Sequence, residues 1–202
     1  MKLLVDMSSV IWTSLSAGTD VDGIVVVQDD KKIVVPTCAY GYENAVNMIV
    51  AALREQGLQP RDMIMVFEGK DSKSRRCMID PTYKAGRGKR VPEAYEQFNL
   101  LKDKLKTTFR NLGAMSATQD FVEGDDILAY IANNLSEDCI VMTNDNDLCV
   151  LQGVNPRGGR VHTRIGGAMD TNKYGMFDVK LVTLYKSLVG DSSDNIRGCP
   201  SF

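Results

Sequence analysis

Short apolar runs recur along the chain, separated by longer segments in which apolar positions return every three or four residues. "KLLVD" (2–6), "DMIMVFE" (62–68), "AMSAT" (114–118) and "DCIVMT" (138–143) read as strands. "GIVVVQDDKKIVV" (23–35) predicts two strands joined by a polar turn over Gln28 to Asp30, a hairpin. Helical spacing marks 39–57, with Gly57 placed to end the helix, and then 93–113, 123–135 and 177–190. Asp145 to Leu151 predicts the opening of another helix, and "RVHTRI" (160–165) a short strand. The segment 69–92, "GKDSKSRRCMIDPTYKAGRGKRVP", is rich in Gly, Pro and charge and reads as a long irregular connection, a type usually functional or disordered. Strands alternating with helices predict an α/β fold with a central, mostly parallel sheet flanked by helices.

In such sheets functional groups gather beyond the carboxyl ends of the strands. Asp6 ends the first strand, Glu68 the "MIMVFE" strand, and Asp145 and Asp147 follow "CIVMT", so three strands deliver acids to one edge. Glu123, Asp125 and Asp126 open a helix reached from the "AMSAT" strand, and "GDSSDN" adds Asp191 and Asp194. Nine carboxylates brought together repel one another unless cations join them. Singly, Glu123, Asp125 or Asp145 could cap a helix and Asp194 could make an Asx-turn. Capping does not explain acids at three strand ends, so the set reads as a metal site.

Composition narrows the metal. His162 is the only histidine, and the five cysteines include no C-x-x-C pair, so the ligands must be oxygens, which favours magnesium or manganese over zinc. Two such ions ~4 Å apart suit phosphodiester hydrolysis. The net charge of -2 conceals an asymmetry, because residues 70–110 hold twelve Lys or Arg against five acids, a local +7 beside -9 elsewhere. A basic segment beside an acidic remainder suits a metal-using protein with a polyanionic partner, although Lys102, Lys104 and Lys106 suit an ordinary solvated helix face equally. No apolar stretch is long enough to span a membrane, and the N-terminus does not read as a secretion signal. A soluble protein of the cytoplasm is expected.

"LLVDMSSVIW", "VFEGKDSKSRRCMIDPTYKAGR", "VEGDDILAYIA", "VMTNDNDLCVL" and "LVGDSSDNIRGCP" occur in the order found in the 5′-nuclease family. This family includes phage 5′-3′ exonucleases, flap endonucleases and the 5′-nuclease domain of bacterial DNA polymerase I, and the resemblance covers almost the whole chain. It implies a PIN-like nuclease domain over 1–189, with a basic arch near 70–92, and the start of a helix-hairpin-helix-like element over 190–202. It also implies a first metal on Asp6, Glu68, Asp125 or Asp126, and Asp145, with Glu123 acting directly or through water, and a second on Asp147, Asp191 and Asp194. Lys84 and Arg87 would match catalytic basic residues at the base of the arch, and Arg75, Arg76, Lys89 and Arg90 would contact the nucleic acid. Tyr83 is open between stacking on a terminal base and anchoring the loop. The implied substrate is DNA with a free 5′ end, flap or branch, with RNA of RNA-DNA hybrids as an extension, in a bacterial or phage-infected cell.

Two departures qualify the resemblance. Glu68 stands where the family usually has Asp, so that ligand reaches one methylene further. "GCPSF" carries Ser201 in place of the second glycine of the family's duplex-binding turn, which often holds a potassium ion. That element is therefore expected to be largely missing or supplied by a separate chain. The competing readings are a PIN-type ribonuclease and a nucleic-acid-binding replication accessory protein with little activity alone.

Overall fold

The computed structural model describes residues 1–16, 23–88, 90–174 and 178–200. Its first half runs β1 (Lys2–Asp6), α1 (Met7–Ser16), β2 (Gly23–Gln28), β3 (Lys31–Pro36), α2 (Cys38–Glu55), β4 (Met63–Glu68), α3 (Ser74–Ile79) and α4 (Pro92–Asn111). The second half continues with β5 (Met115–Gln119), α5 (Gly124–Asn134), β6 (Cys139–Thr143), β7 (Gly153–Val154), β8 (Arg160–Ile165), β9 (Ala168–Met169), α6 (Val182–Val189), β10 (Gly190–Asp191) and β11 (Ile196–Arg197).

The main sheet has the order β5-β4-β1-β6-β8-β7, with β9 also paired to β8. The five strands from β5 to β8 are mutually parallel, and only the two-residue strands β7 and β9 run antiparallel. Strands apolar at every position fit this arrangement because both faces of a parallel sheet are covered. Leu3, Val5, Met63, Met65, Ile140 and Met142 turn to one face and pack with α1, α2 and α4 through Ile11, Ile49, Leu101, Leu105 and Phe109. Leu4, Ile64, Val66, Cys139 and Val141 turn to the other and meet Ile127, Leu128 and Ala132 of α5. Successive residues of one strand thus supply two separate cores.

Strand β1 is central. The chain leaves it for β4 and β5 on one side and returns to β6 on the other, which makes the edge beyond β1 the point where strand order reverses. Parallel register aligns the strand ends there, with Asp6 opposite Val66 and Val5 opposite Met142.

The predicted hairpin is present as a separate two-stranded sheet, β2–β3. Its turn residues Asp29 and Asp30 both have positive φ, 50° and 60°, the conformation a two-residue hairpin loop requires. Three expectations change in detail. The helix after Asp145 is a 3-10 helix, Asn146–Leu151, capped by Asp145 itself. The segment 69–92 is turn-rich but contains the short helix α3, and Lys89 lies outside the described residues. The helix expected over 177–190 is a 3-10 turn, Val179–Leu181, followed by α6, and Phe177 also lies outside the described residues. Among the described residues no helix is long and apolar enough to cross a membrane.

Candidate active site

Asp6 is buried at the end of β1, where its carboxylate accepts hydrogen bonds from the Ser9 amide at 3.0 Å and the Thr143 hydroxyl at 2.8 Å. The same Thr143 hydroxyl accepts from the Asp145 amide at 3.0 Å, and Ser9 Oγ accepts from the Asn144 amide at 2.8 Å. The turns after β1 and β6 are therefore stitched together. Asp145 in turn accepts from the Asp147 amide at 2.8 Å, so it caps the 3-10 helix while standing beside Asp6.

Asp125, in the first turn of α5, completes the group. Burial, then the charges of Asp6 and Asp145, push its carboxyl up to about 7. Asp6 is raised as well, because burial and the charges of Glu68 and Asp145 outweigh its two hydrogen bonds. Among the described residues no ion pair joins Asp6, Glu68, Asp125 or Asp145 to a lysine or arginine. Among those residues, too, no three acids converge closely enough to cage an ion as they stand. The donor chemistry nevertheless fits a hard divalent cation: the groups are all oxygen and mutually repelling, and they share one edge. Glu68 is exposed at the end of β4, and its Cγ would stand 3.4 Å from a Cβ added at Gly124, so it borders the start of α5.

The other acids are neutralised from within. Glu123 is almost fully buried, and it accepts from Lys84 Nζ at 2.7 Å and from the Tyr83 hydroxyl at 2.9 Å while pairing with Arg76. Burial alone would raise this carboxyl, but those bonds and charges outweigh it and hold it below the usual range. Arg76 also grips Asp126 through both carboxylate oxygens, at 2.8 and 2.9 Å. One residue's rotation along α5 thus separates Asp125, which shares the field of Asp6 and Asp145, from Asp126, which turns to Arg76.

Tyr83 is buried, with its hydroxyl between Arg76 and Glu123, so the geometry favours the anchor over the base-stacking role. Lys84 has a φ of 56°, a left-handed conformation costly for a side chain of this kind, and its amide donates to the Asp194 carbonyl at 2.9 Å. Arg87 Nη2 donates to Asp194 at 2.6 Å, and Asn195 donates to the Thr82 carbonyl at 3.0 Å. The "YKAGR" segment is stapled to the "GDSSDN" block, a hundred residues later.

Asp147 and Asp191 share a partner that the sequence did not suggest. Lys186 of α6 ion-pairs with both, and the Tyr174 hydroxyl donates to Asp147 at 2.7 Å. Burial would lower the Lys186 ammonium, but the hydrogen bonds and charges of Asp147 and Asp191 raise it. Asp191, raised by burial but more strongly held by Lys186 and Ser193, falls to about 2. An isolated charge in the apolar stretch "LVTLYKSLV", just before an acidic block, was the available signal. Of the remaining cations Arg75 is exposed, and Arg90 places its guanidinium 3.6 Å from the centre of the Trp12 ring. Lys104 and Lys106 lie over Tyr42 and Phe67, covering the protein's own rings.

The family model described as 5′-3′ exonuclease, N-terminal resolvase-like domain, matches residues 3–178. DNA polymerase I of Bacillus caldotenax is 28% identical over 207 residues, 98% of this chain but 22% of its own length. A 5′-3′ exonuclease of Buchnera aphidicola is 28% identical over 150 residues, 69% of this chain and 46% of its own. The chain thus spans less than half the length of either relative. Among solved structures, phage T5 5′-exonuclease with bound zinc ions has a TM-score of 0.71 at 20% identity, covering 100% of this chain and 70% of its own. A T5 flap endonuclease variant in complex with DNA and metal ions has a TM-score of 0.67 at 19% identity, covering 99% and 70%. These likenesses establish the fold, and the family match establishes more: the chain belongs to the family of 5′-3′ exonuclease N-terminal, resolvase-like domains.

Proposed function

We propose that this chain is a divalent-metal-dependent 5′ nuclease that hydrolyses phosphodiester bonds in DNA at a free 5′ end, a flap or a branch. The observation that carries the reading is the group Asp6, Asp125 and Asp145, three acids at one sheet edge that among the described residues pair with no lysine or arginine, where burial and then the charges of Asp6 and Asp145 lift Asp125 to about 7. Such an arrangement is costly for the folded chain by itself and is relieved by a cation.

Asp6, Asp125 and Asp145 would hold one ion, with Glu68 at its border; Asp147, Asp191 and Asp194 are the candidates for a second. Magnesium or manganese suits these oxygen donors. When bound, the ions supply a more acidic water and a counter-charge for the phosphodiester. The chain's own residues do the rest. Ser9 and Thr143 fix the Asp6 carboxylate, and the Asp145 amide is held by Thr143, so the site is preorganised by neutral donors. Lys84 and Arg87 stand at the same edge as cations for a phosphate oxygen. Arg75 and Arg90 extend that role along the nucleic acid, with Lys89 a further candidate from the sequence alone, and the Trp12 face offers a surface on which a base can stack once Arg90 moves to a phosphate.

The relatives support the substrate class by their names, a DNA polymerase I and a 5′-3′ exonuclease, and the T5 flap endonuclease complex by containing DNA and metal ions. Cleavage of a 5′-labelled flap and of a 5′-recessed duplex with magnesium tests the reading. Chelator and Asp145→Asn should each abolish product while DNA binding persists; cleavage that survives both would overturn it. An RNA-DNA hybrid in the same assay extends or limits the substrate range.

A further inference from the structure

The two halves of the acidic edge differ in how their charge is balanced. Among the described residues Asp6, Asp125 and Asp145 pair with no lysine or arginine, and Asp6 and Asp145 accept only from amides and a hydroxyl. Asp147 and Asp191, which come from different elements, converge instead on one ammonium, that of Lys186. That side chain is mostly covered, and its stem rises from α6 directly beside the β10–β11 turn.

We propose that the Lys186 ammonium is the resident cation of the second metal position, so that the free protein takes up one divalent ion at Asp6, Asp125 and Asp145 and admits a second only in exchange for Lys186. The inference rests on the reading of this edge as a metal site and adds an order of filling to it. One ammonium between two carboxylates leaves a net charge of -1, so the position still attracts a divalent ion. It also cannot hold both cations, since each would stand in contact with the same carboxylate oxygens. Among the described residues the first position carries no such competitor. An ordinary structural ion pair is the alternative, and it differs in one respect: it predicts that removing Lys186 weakens the fold without favouring the second ion.

Linkage sets the scale of the effect. Coupling between competing ligands is commonly worth about 5- to 150-fold in affinity. Manganese titration followed by calorimetry, with the number of bound ions counted by electron paramagnetic resonance, should therefore show in the wild-type chain one ion bound at least about tenfold more tightly than the next. Lys186→Met keeps the stem and removes the charge, and it should tighten the second ion by a similar factor while leaving the first unchanged. A second measurement needs no variant: acylation of lysines followed by mass spectrometry should find Lys186 protected without metal and at one equivalent of manganese, and reactive when the second ion binds.

Two ions of equal affinity in the wild-type chain, an unchanged second affinity in Lys186→Met, or a Lys186 that stays protected at full loading would each overturn the proposal while leaving the metal site standing. Failure of both wild type and variant to bind manganese would overturn the proposal together with the functional reading beneath it.

Discussion

Asp125→Asn should stabilise the metal-free protein, although it removes a residue assigned to the metal site. Asparagine keeps the size of the side chain and deletes one of three repelling charges, and among the described residues it breaks no side-chain hydrogen bond or ion pair of Asp125. The Asp125 carboxyl lies at about 7 instead of 3.8 because burial and then Asp6 and Asp145 disfavour its ionised form. At 1.36 kcal/mol per pKa unit, that displacement corresponds to about 4 kcal/mol. The group is only partly covered, and screening by water reduces the figure to about 2 kcal/mol. The sign follows from the raised folded-state value: the penalty is absent below the ordinary carboxylate range, grows as pH rises toward about 7, and is complete above it.

At pH 8 in chelator, the variant should therefore melt about 4–8 °C above the wild type, using about 2–4 °C per kcal/mol for a chain of this size. At pH 4 the two should melt together. Manganese should reverse the order at pH 8, because an ion that binds only the folded state adds stability as its concentration exceeds its dissociation constant. Differential scanning calorimetry at both pH values reads all three comparisons. A variant no more stable than wild type in chelator at pH 8 would refute the claim that this carboxylate stands uncompensated.

Three further substitutions probe separate parts of the argument. Lys84→Ala leaves the buried Glu123 with Arg76 and Tyr83 only, and should cost about 3 kcal/mol in a urea titration. In single-turnover cleavage it should slow the reaction more than it weakens DNA binding, since a phosphate contact counts most in the transition state. Asn155→Ala removes a buried carboxamide that donates to Ala132 and Leu135 carbonyls and accepts from the Arg157 and Gly159 amides, and should cost about 3 kcal/mol with an unchanged urea slope. Gly69→Ala would place a Cβ 2.3 Å from the Gln119 carbonyl oxygen, so it should destabilise by about 2 kcal/mol and disturb the neighbouring Glu68 more than Asp6, readable as weakened metal binding.

The sheet and its acidic edge were legible because they depend on local pattern. Four-residue apolar runs fit strands covered on both faces, and a parallel sheet necessarily brings the residues that end those strands to one side. What the pattern lacks is direction around a helix and contact across the chain. Asp125 and Asp126 are adjacent and chemically alike, and only the folded chain shows that α5 turns Asp125 toward Asp6 and Asp126 toward Arg76, fifty residues earlier in the chain. Tyr83 stays open between stacking on a base and anchoring its loop until that loop folds onto Glu123 and Asp194. Lys186 was hidden for the same reason: its partners lie in another element, and helical spacing alone assigns it to a solvated face.

That long-range folding also changes what the basic segment can do for nucleic acid. Six cations were expected to contact the strand, Arg75, Arg76, Lys84, Arg87, Lys89 and Arg90. Three of them, Arg76, Lys84 and Arg87, already pair with Glu123, Asp126 and Asp194. A cation that leaves a carboxylate to meet a phosphate exchanges one anion for another, so it adds little net attraction. In metal-free binding to a short DNA strand, three effective contacts give a slope of log affinity against log salt of about -2 to -3, whereas six give about -4 to -5. The structure supports the shallower slope, and Arg75→Ala should reduce it by about 1 while Arg87→Ala leaves it nearly unchanged. A steep slope that Arg87→Ala flattens as much as Arg75→Ala does would mean that the staple to Asp194 opens when DNA binds, and that the local charge of +7 is available to the substrate after all.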